Sequence, residues 1–193
     1  TLERYLTPQG GESDITDRMA EGLLIATRDA GRRALANPND YEARASLMWA
    51  GSVSHNDYTG CGRARLFPVH KLEHELSAFR DEIAHGAGLS VLFPAWALYE
   101  MKRDIPRFAQ LANRVLGVEM DFAHPERTAR EGILTLKRFF EEINMPVHMS
   151  QLGIKPSDYD KLAENTIRTV GGPVKSYTPL DKAAIMEIYR MAE

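Results

Sequence analysis

Three of the six histidines in this 193-residue chain, His70, His74 and His85, lie within sixteen consecutive positions. Because each residue of a helix turns the chain by about 100°, His70 and His74 fall on one face, one turn apart. A short loop after this helix, followed by an antiparallel helix, would bring His85 back beside them. Convergent imidazoles of this kind are typical of a divalent metal site. Partly exposed or hydrogen-bonded histidines without a metal are the alternative interpretation.

The local residues do not complete a metal site. The metalloprotease pattern H-E-x-x-H is absent, because Glu73 directly precedes His74 and does not follow His70. The carboxylates of Glu73, Glu75, Asp81 and Glu82 are near in sequence, but none has a spacing that marks it as a further ligand. Since Zn²⁺ and Fe²⁺ sites commonly have three or four protein ligands, the site is incomplete. A metal-dependent hydrolase using all three histidines and a non-enzymatic helical interaction module both stay open.

Apolar residues recur at helical spacing along the whole chain, and no stretch alternates as a strand would. In the first long segment this stripe includes Ile15, Met19, Leu23 and Leu24. We therefore predict an all-α, multi-helix bundle in which residues 1–193 form one domain. Proline and capping residues place the predicted helices at 14–35, 40–57, 67–79, 85–103, 105–116, 124–142, 155–169 and 178–192.

Two kinds of residue give more specific structural expectations. Pro94 lies inside the fourth predicted helix and is expected to bend or interrupt it. Trp49, Trp96 and Phe93 are expected in the core or in a pocket wall, since large aromatic side chains are usually buried.

Composition narrows the range of partners. The net charge is −3 and the basic residues are scattered, which gives no footprint for nucleic acid. A single cysteine, Cys61, suits a reducing compartment, and no apolar run reaches the length of a membrane span. With no apparent signal peptide, the sequence predicts a cytoplasmic protein. The first residue is Thr1 and not Met, which suggests part of a longer chain.

Four segments carry a resemblance to a known family. Three of them flank the histidine segment: Asp17-Arg18-x-Ala20-Glu21-Gly22, Tyr41-Glu42-x-Arg44-Ala45-x-x-Met48-Trp49-Ala50 and Phe139-Phe140-x-x-x-Asn144-Met145-Pro146. The fourth is the histidine segment itself, His70-x-x-x-His74-Glu75-Leu76-Ser77-Ala78, then Asp81 and Ile83-Ala84-His85-Gly86-x-Gly88-Leu89. Together they resemble the C-terminal region of the iron-containing (group III) alcohol dehydrogenases, in particular the butanol dehydrogenase-like branch.

The resemblance implies a two-domain enzyme of which this chain is the helical C-terminal domain. An N-terminal Rossmann-like domain that binds NAD(P) is absent from the chain, and so is the Asp-x-x-x-His segment that supplies two further metal ligands. Thr1 to Leu6 resembles the residues that come directly after that segment in the family. The chain by itself is therefore expected to be inactive.

The same resemblance assigns roles to the three histidines. It implies that His70 and His85 are metal ligands, for Fe²⁺ or Zn²⁺, and that His74 lies at the nicotinamide and substrate as a catalytic and cofactor-binding residue. The implied reaction interconverts primary alcohols and aldehydes by metal-assisted hydride transfer, in a homodimer. The interval from His70 to His85 is one residue longer than the family pattern, and the extra residue falls near Arg80 to Ile83.

Overall fold

The computed structural model describes residues 1–7 and 13–193, and these residues form a bundle of nine α-helices. The helices are α1 Leu2–Leu6, α2 Asp14–Ala36, α3 Tyr41–His55, α4 Pro68–Phe79, α5 His85–Glu100, α6 Ile105–Arg114, α7 Pro125–Glu142, α8 Tyr159–Val170 and α9 Lys182–Met191. Short 3₁₀ turns lie at Tyr58–Gly60, Met101–Arg103, Met149–Leu152 and Pro156–Asp158. In the described part of the chain, β pairing is limited to one bridge between Val174 and Leu180. The predicted all-α class is confirmed.

The helix ends follow the capping residues. The carboxylate of Asp40 accepts the amide of the third residue along at 3.0 Å, and that of Asp181 does the same at 2.8 Å. These contacts satisfy amides that have no partner inside the helix. Because Asp181 is the cap, α9 begins at Lys182 and not at Thr178 as predicted. α1 was not predicted, since five residues are too few to show a helical period.

α5 runs through the centre of the bundle. Its residues from Ser90 to Ala97 are all buried, so helices pack around it on every side. Phe93 and Trp96 are 5% and 0% exposed, which confirms the core prediction for these two residues. Of the two effects expected at Pro94, an interruption is excluded, because α5 is continuous from His85 to Glu100. Packing on all sides outweighs the one backbone hydrogen bond that proline cannot donate.

α2 buries a polar face where the sequence predicted an apolar stripe. Ile15 is 79% exposed, whereas Asp17 and Glu21 are buried. Asp17 forms ion pairs with Arg63 and Arg107, and the Arg107 Nη2 to Asp17 Oδ1 distance is 2.8 Å. A buried carboxylate needs such partners, and here they come from two other parts of the chain. Helical periodicity alone could not predict that the polar face of α2, and not Ile15, is buried.

The outer face of α3 is exposed. Ala43 and Ala50 are buried on its inner side, against α2 and the turn at Tyr58–Gly60. Trp49 lies on the outer side and is 69% exposed, so its assignment to the core is wrong. The aromatic residue type favoured burial, but among the described residues no element covers this face of α3.

α4 and α5 form an antiparallel pair joined by the loop from Arg80 to Ala84, and this pair positions the histidines. Within the described ranges, none of the helices combines the length and hydropathy needed to cross a membrane.

Candidate metal centre

The hairpin of α4 and α5 brings His70, His74 and His85 together. The ring centres of His70 and His85 are 5.1 Å apart, and those of His74 and His85 are 5.6 Å apart. His70 and His74 are separated by 6.4 Å. The side chains of His70 and His85 are 35% and 49% exposed, so they form one wall of an accessible site. The predicted convergence of the three rings is confirmed.

In two of these rings, Nδ1 contacts a buried carboxylate, and the carboxylate is a different one for each ring. Glu3, at 3% exposure, reaches His70 from α1, and Glu73, at 0% exposure, reaches His85 from α4. An ionised carboxylate only accepts hydrogen bonds, so each Nδ1 must carry the proton. That tautomer leaves a lone pair on Nε2, which is the form in which imidazole binds a metal.

The distances show which pairs of rings can share one cation. With metal–nitrogen bonds of about 2.0–2.1 Å, two imidazoles at a tetrahedral angle have ring centres about 5.2 Å apart. His70 and His85, at 5.1 Å, match this spacing closely, and His74 and His85, at 5.6 Å, also come near it, whereas His70 and His74, at 6.4 Å, would require a nearly linear arrangement. Within residues 1–7 and 13–193, the ring of His74 also has no hydrogen-bond partner, while metal-ligating histidines usually have one. The geometry therefore fits a cation held by His70 and His85, with His74 beside it.

A second set of ligand atoms also lies close together. One atom each from Glu73, His74 and His85 fall within 4.8 Å of one another. In this set Glu73 would bind the cation directly, but its Oε2 is already directed at Nδ1 of His85. Glu73 is thus placed as a hydrogen-bond partner of His85.

Sequence reasoning missed both carboxylates. Glu73 was passed over because its spacing fits no ligand motif, although a glutamate between two histidines in one predicted helix was a usable signal. Glu3 lies 67 positions from His70 and gave no local signal.

An apolar cavity of about 470 Å³ adjoins His70 and Glu3. Its wall is formed mainly by aliphatic and aromatic side chains, among them Leu23, Leu24, Leu47, Phe93 and Phe140. Such a lining suits the hydrocarbon part of a small ligand whose polar end faces the histidines.

Burial lowers the pKa of His74 below its ordinary value. The neighbouring carboxylate of Glu73 opposes this effect, while His85, Lys71 and His70 add to the lowering. His74 is therefore predominantly neutral near pH 7.

Comparison with known proteins places the whole chain in one family. The model described as "Fe-containing alcohol dehydrogenase family, C-terminal" matches residues 1–193. NADH-dependent butanol dehydrogenase A of Clostridium acetobutylicum is 32% identical over 191 residues, which are 98% of this chain and 48% of that protein. NADPH-dependent aldehyde reductase YqhD of Escherichia coli is 33% identical over 177 residues, covering 89% and 44%.

Solved structures give the same result. The crystal structure of NADH-dependent butanol dehydrogenase A from Thermotoga maritima superposes with a TM-score of 0.91 at 31% identity, covering 99% of this chain and 48% of that one. The chain therefore spans about half the length of the relatives it matches. The sequence match, the helical fold and the histidine hairpin agree, and the chain belongs to the Fe-containing alcohol dehydrogenase family, as its C-terminal domain.

Proposed function

We propose that the protein to which this domain belongs interconverts primary alcohols and aldehydes with NAD(P), at a divalent cation held in part by His70 and His85. The observation that carries this proposal is the 5.1 Å spacing of two imidazoles whose Nδ1 atoms both face buried carboxylates. Two imidazoles at this spacing, each with its Nε2 lone pair free, can bind one cation such as Fe²⁺ or Zn²⁺.

Each part of the site has a separate task in this reaction. When bound, a divalent cation would supply polarisation of the alcohol or aldehyde oxygen, which would favour hydride exchange with the nicotinamide. His70 and His85 would hold this cation through their Nε2 atoms. The apolar cavity beside His70 takes the alkyl chain and keeps water from it. His74, on the same wall, is placed to exchange a proton with the substrate oxygen.

The rest of the active site lies outside this domain in our proposal. NAD(P) and two further metal ligands, an aspartate and a histidine, come from an N-terminal Rossmann-like domain. The 193-residue chain alone is then inactive, because it carries only half of the ligands. The homodimer and the cytoplasmic location stay predictions of the sequence.

The experiment uses the full-length protein and follows NADH and NADPH oxidation with butanal. Chelation should abolish the activity, and Fe²⁺ or Zn²⁺ should restore it. His85→Ala should lose both the cation and the activity. His124→Ala is the matched control, because His124 precedes α7 and lies outside the site. Full activity in His85→Ala would refute the proposal. If the unmodified protein bound no cation, the non-enzymatic helical interaction module would be the alternative that remains.

A metal-dependent hydrolase is the second candidate, and the cluster of Glu73, His74 and His85 favours it. The two candidates differ in whether His74 is needed to bind the cation. Our proposal predicts that His70→Ala loses the cation and that His74→Ala keeps it with a lower rate. The hydrolase, which uses all three histidines, predicts that both variants lose the cation.

A further inference from the structure

The two carboxylates at the site are each fixed at both oxygens. One oxygen of Glu3 accepts the backbone N–H of Val69 at 2.6 Å, and the other contacts Nδ1 of His70. One oxygen of Glu73 accepts the hydroxyl of Ser77, and the other contacts Nδ1 of His85. A carboxylate held in this way has little freedom to rotate, so it fixes the plane of the ring that it contacts.

Gly88 provides the space that Glu73 occupies. It lies on α5, three residues after His85, and a Cβ atom at this position would come within 2.5 Å of Cγ and 2.7 Å of Oε1 of Glu73. Any side chain at position 88 must therefore displace the carboxylate from its place between α4 and α5. A glycine at this point of a helix costs about 1 kcal/mol relative to alanine, which this close approach explains.

We propose that Glu73 is a positioning residue of the cation site, that Glu3 has the same role toward His70, and that Gly88 is required because it makes room for Glu73. This inference rests on the proposed function. Glu73 holds His85 as the Nδ1–H tautomer and orients Nε2 toward the cation. Without it the ring can rotate and change tautomer, and the cation loses a preorganised ligand.

Structural stabilisation alone gives a different expectation. A buried carboxylate that only joined α4 to α5 would lower the melting temperature when removed and leave the cation site unchanged. A positioning residue changes the affinity and the ligand field of the cation.

The experiment measures Co²⁺ binding to the full-length protein, by its dissociation constant and its visible absorption spectrum. Glu73→Ala should raise the dissociation constant about 10–100-fold and alter the spectrum, as removal of a hydrogen-bond partner of a metal ligand does. Glu73→Gln should raise the dissociation constant less, because its amide oxygen can still accept a hydrogen bond from Nδ1–H. Gly88→Ala should resemble Glu73→Ala although it leaves every histidine and carboxylate in the sequence.

Gly22→Ala is the matched control for the glycine change, because a Cβ on Gly22 meets no atom within 4 Å. It should bind Co²⁺ as the unmodified protein does. If Gly88→Ala fails to fold, Ser77→Ala frees one oxygen of Glu73 with a smaller change and should raise the dissociation constant several-fold.

Three results would overturn the inference. An unchanged constant and spectrum in Glu73→Ala would remove the positioning role alone, provided that the unmodified protein binds Co²⁺. Loss of all binding in Glu73→Gln together with retention in His70→Ala would make Glu73 a direct ligand. Failure of the unmodified protein to bind Co²⁺ would remove the proposed function as well.

Discussion

The contact between α6 and α7 makes Gly132→Ala a sharp test of the packing. A Cβ on Gly132 would lie 2.3 Å from Cβ and 2.8 Å from Cα of Ala112. Carbon atoms in ordinary contact are about 3.5–4.0 Å apart. The Cα of Ala112 is part of a helix backbone and cannot rotate away. The two helices must therefore separate locally by roughly 1 Å.

Two opposing effects set the magnitude. Replacing glycine by alanine inside a helix is intrinsically favourable by about 1 kcal/mol. Overpacking of a close contact costs about 1–3 kcal/mol, and more when backbone must move. Since a backbone atom is involved, we expect Gly132→Ala to lower the free energy of unfolding by about 2 kcal/mol. At about 2–4 °C per kcal/mol for a chain of this size, the melting temperature should fall by about 4–8 °C.

The assay is thermal and urea unfolding followed by circular dichroism. Gly22→Ala is the control, and its open surroundings predict a stability equal to or above that of the unmodified protein. Adding Ala112→Gly to Gly132→Ala removes the Cβ–Cβ contact and should restore part of the loss. If Gly132→Ala were as stable as Gly22→Ala, the close approach of α6 and α7 would be wrong. Cation binding should be unchanged in both variants, which separates fold stability from the site.

Three further predictions test the core and the surface. Burial raises the pKa of Glu100, so the folded state keeps a proton that the unfolded chain has already released. The protonated side chain therefore contributes to stability at low pH, and this contribution is lost as pH rises above about 4.3 toward the pKa of the folded state. Urea unfolding at pH 5 and pH 8 should show Glu100→Gln gaining stability relative to the unmodified protein as pH rises, and a pH-independent difference would contradict this. Asp17→Ala leaves Arg63 and Arg107 without their shared carboxylate and should cost about 3–5 kcal/mol in the same assay, whereas a loss under 1 kcal/mol would refute the buried ion pairs. Trp49→Ala, at an exposed position, should change stability by less than about 0.5 kcal/mol, and a large loss would mean that this face is covered.

Much of the architecture was readable from the sequence. Apolar periodicity with proline and capping signals located every described α-helix of ten residues or more to within a few positions, because each signal acts within one or two helical turns. Asp40 shows this, since its side chain caps α3 through an amide three residues away. The interruption offered for Pro94 and the burial expected for Trp49 were wrong for the opposite reason. Their outcome depends on what surrounds α5 and α3, and no local pattern records the neighbours of a helix.

The candidate site was likewise predictable only in part. The spacing of His70, His74 and His85 determined that three imidazoles would meet, because a helical turn and a short hairpin fix their relative positions. Only the tertiary structure showed that Glu3 and Glu73 hold two of these rings by Nδ1, and that the 5.1 Å pair is His70 with His85. Those facts depend on how the faces of α1, α4 and α5 pack, over separations of up to 67 residues. Helical periodicity specifies which residues share a face, but packing decides which faces meet.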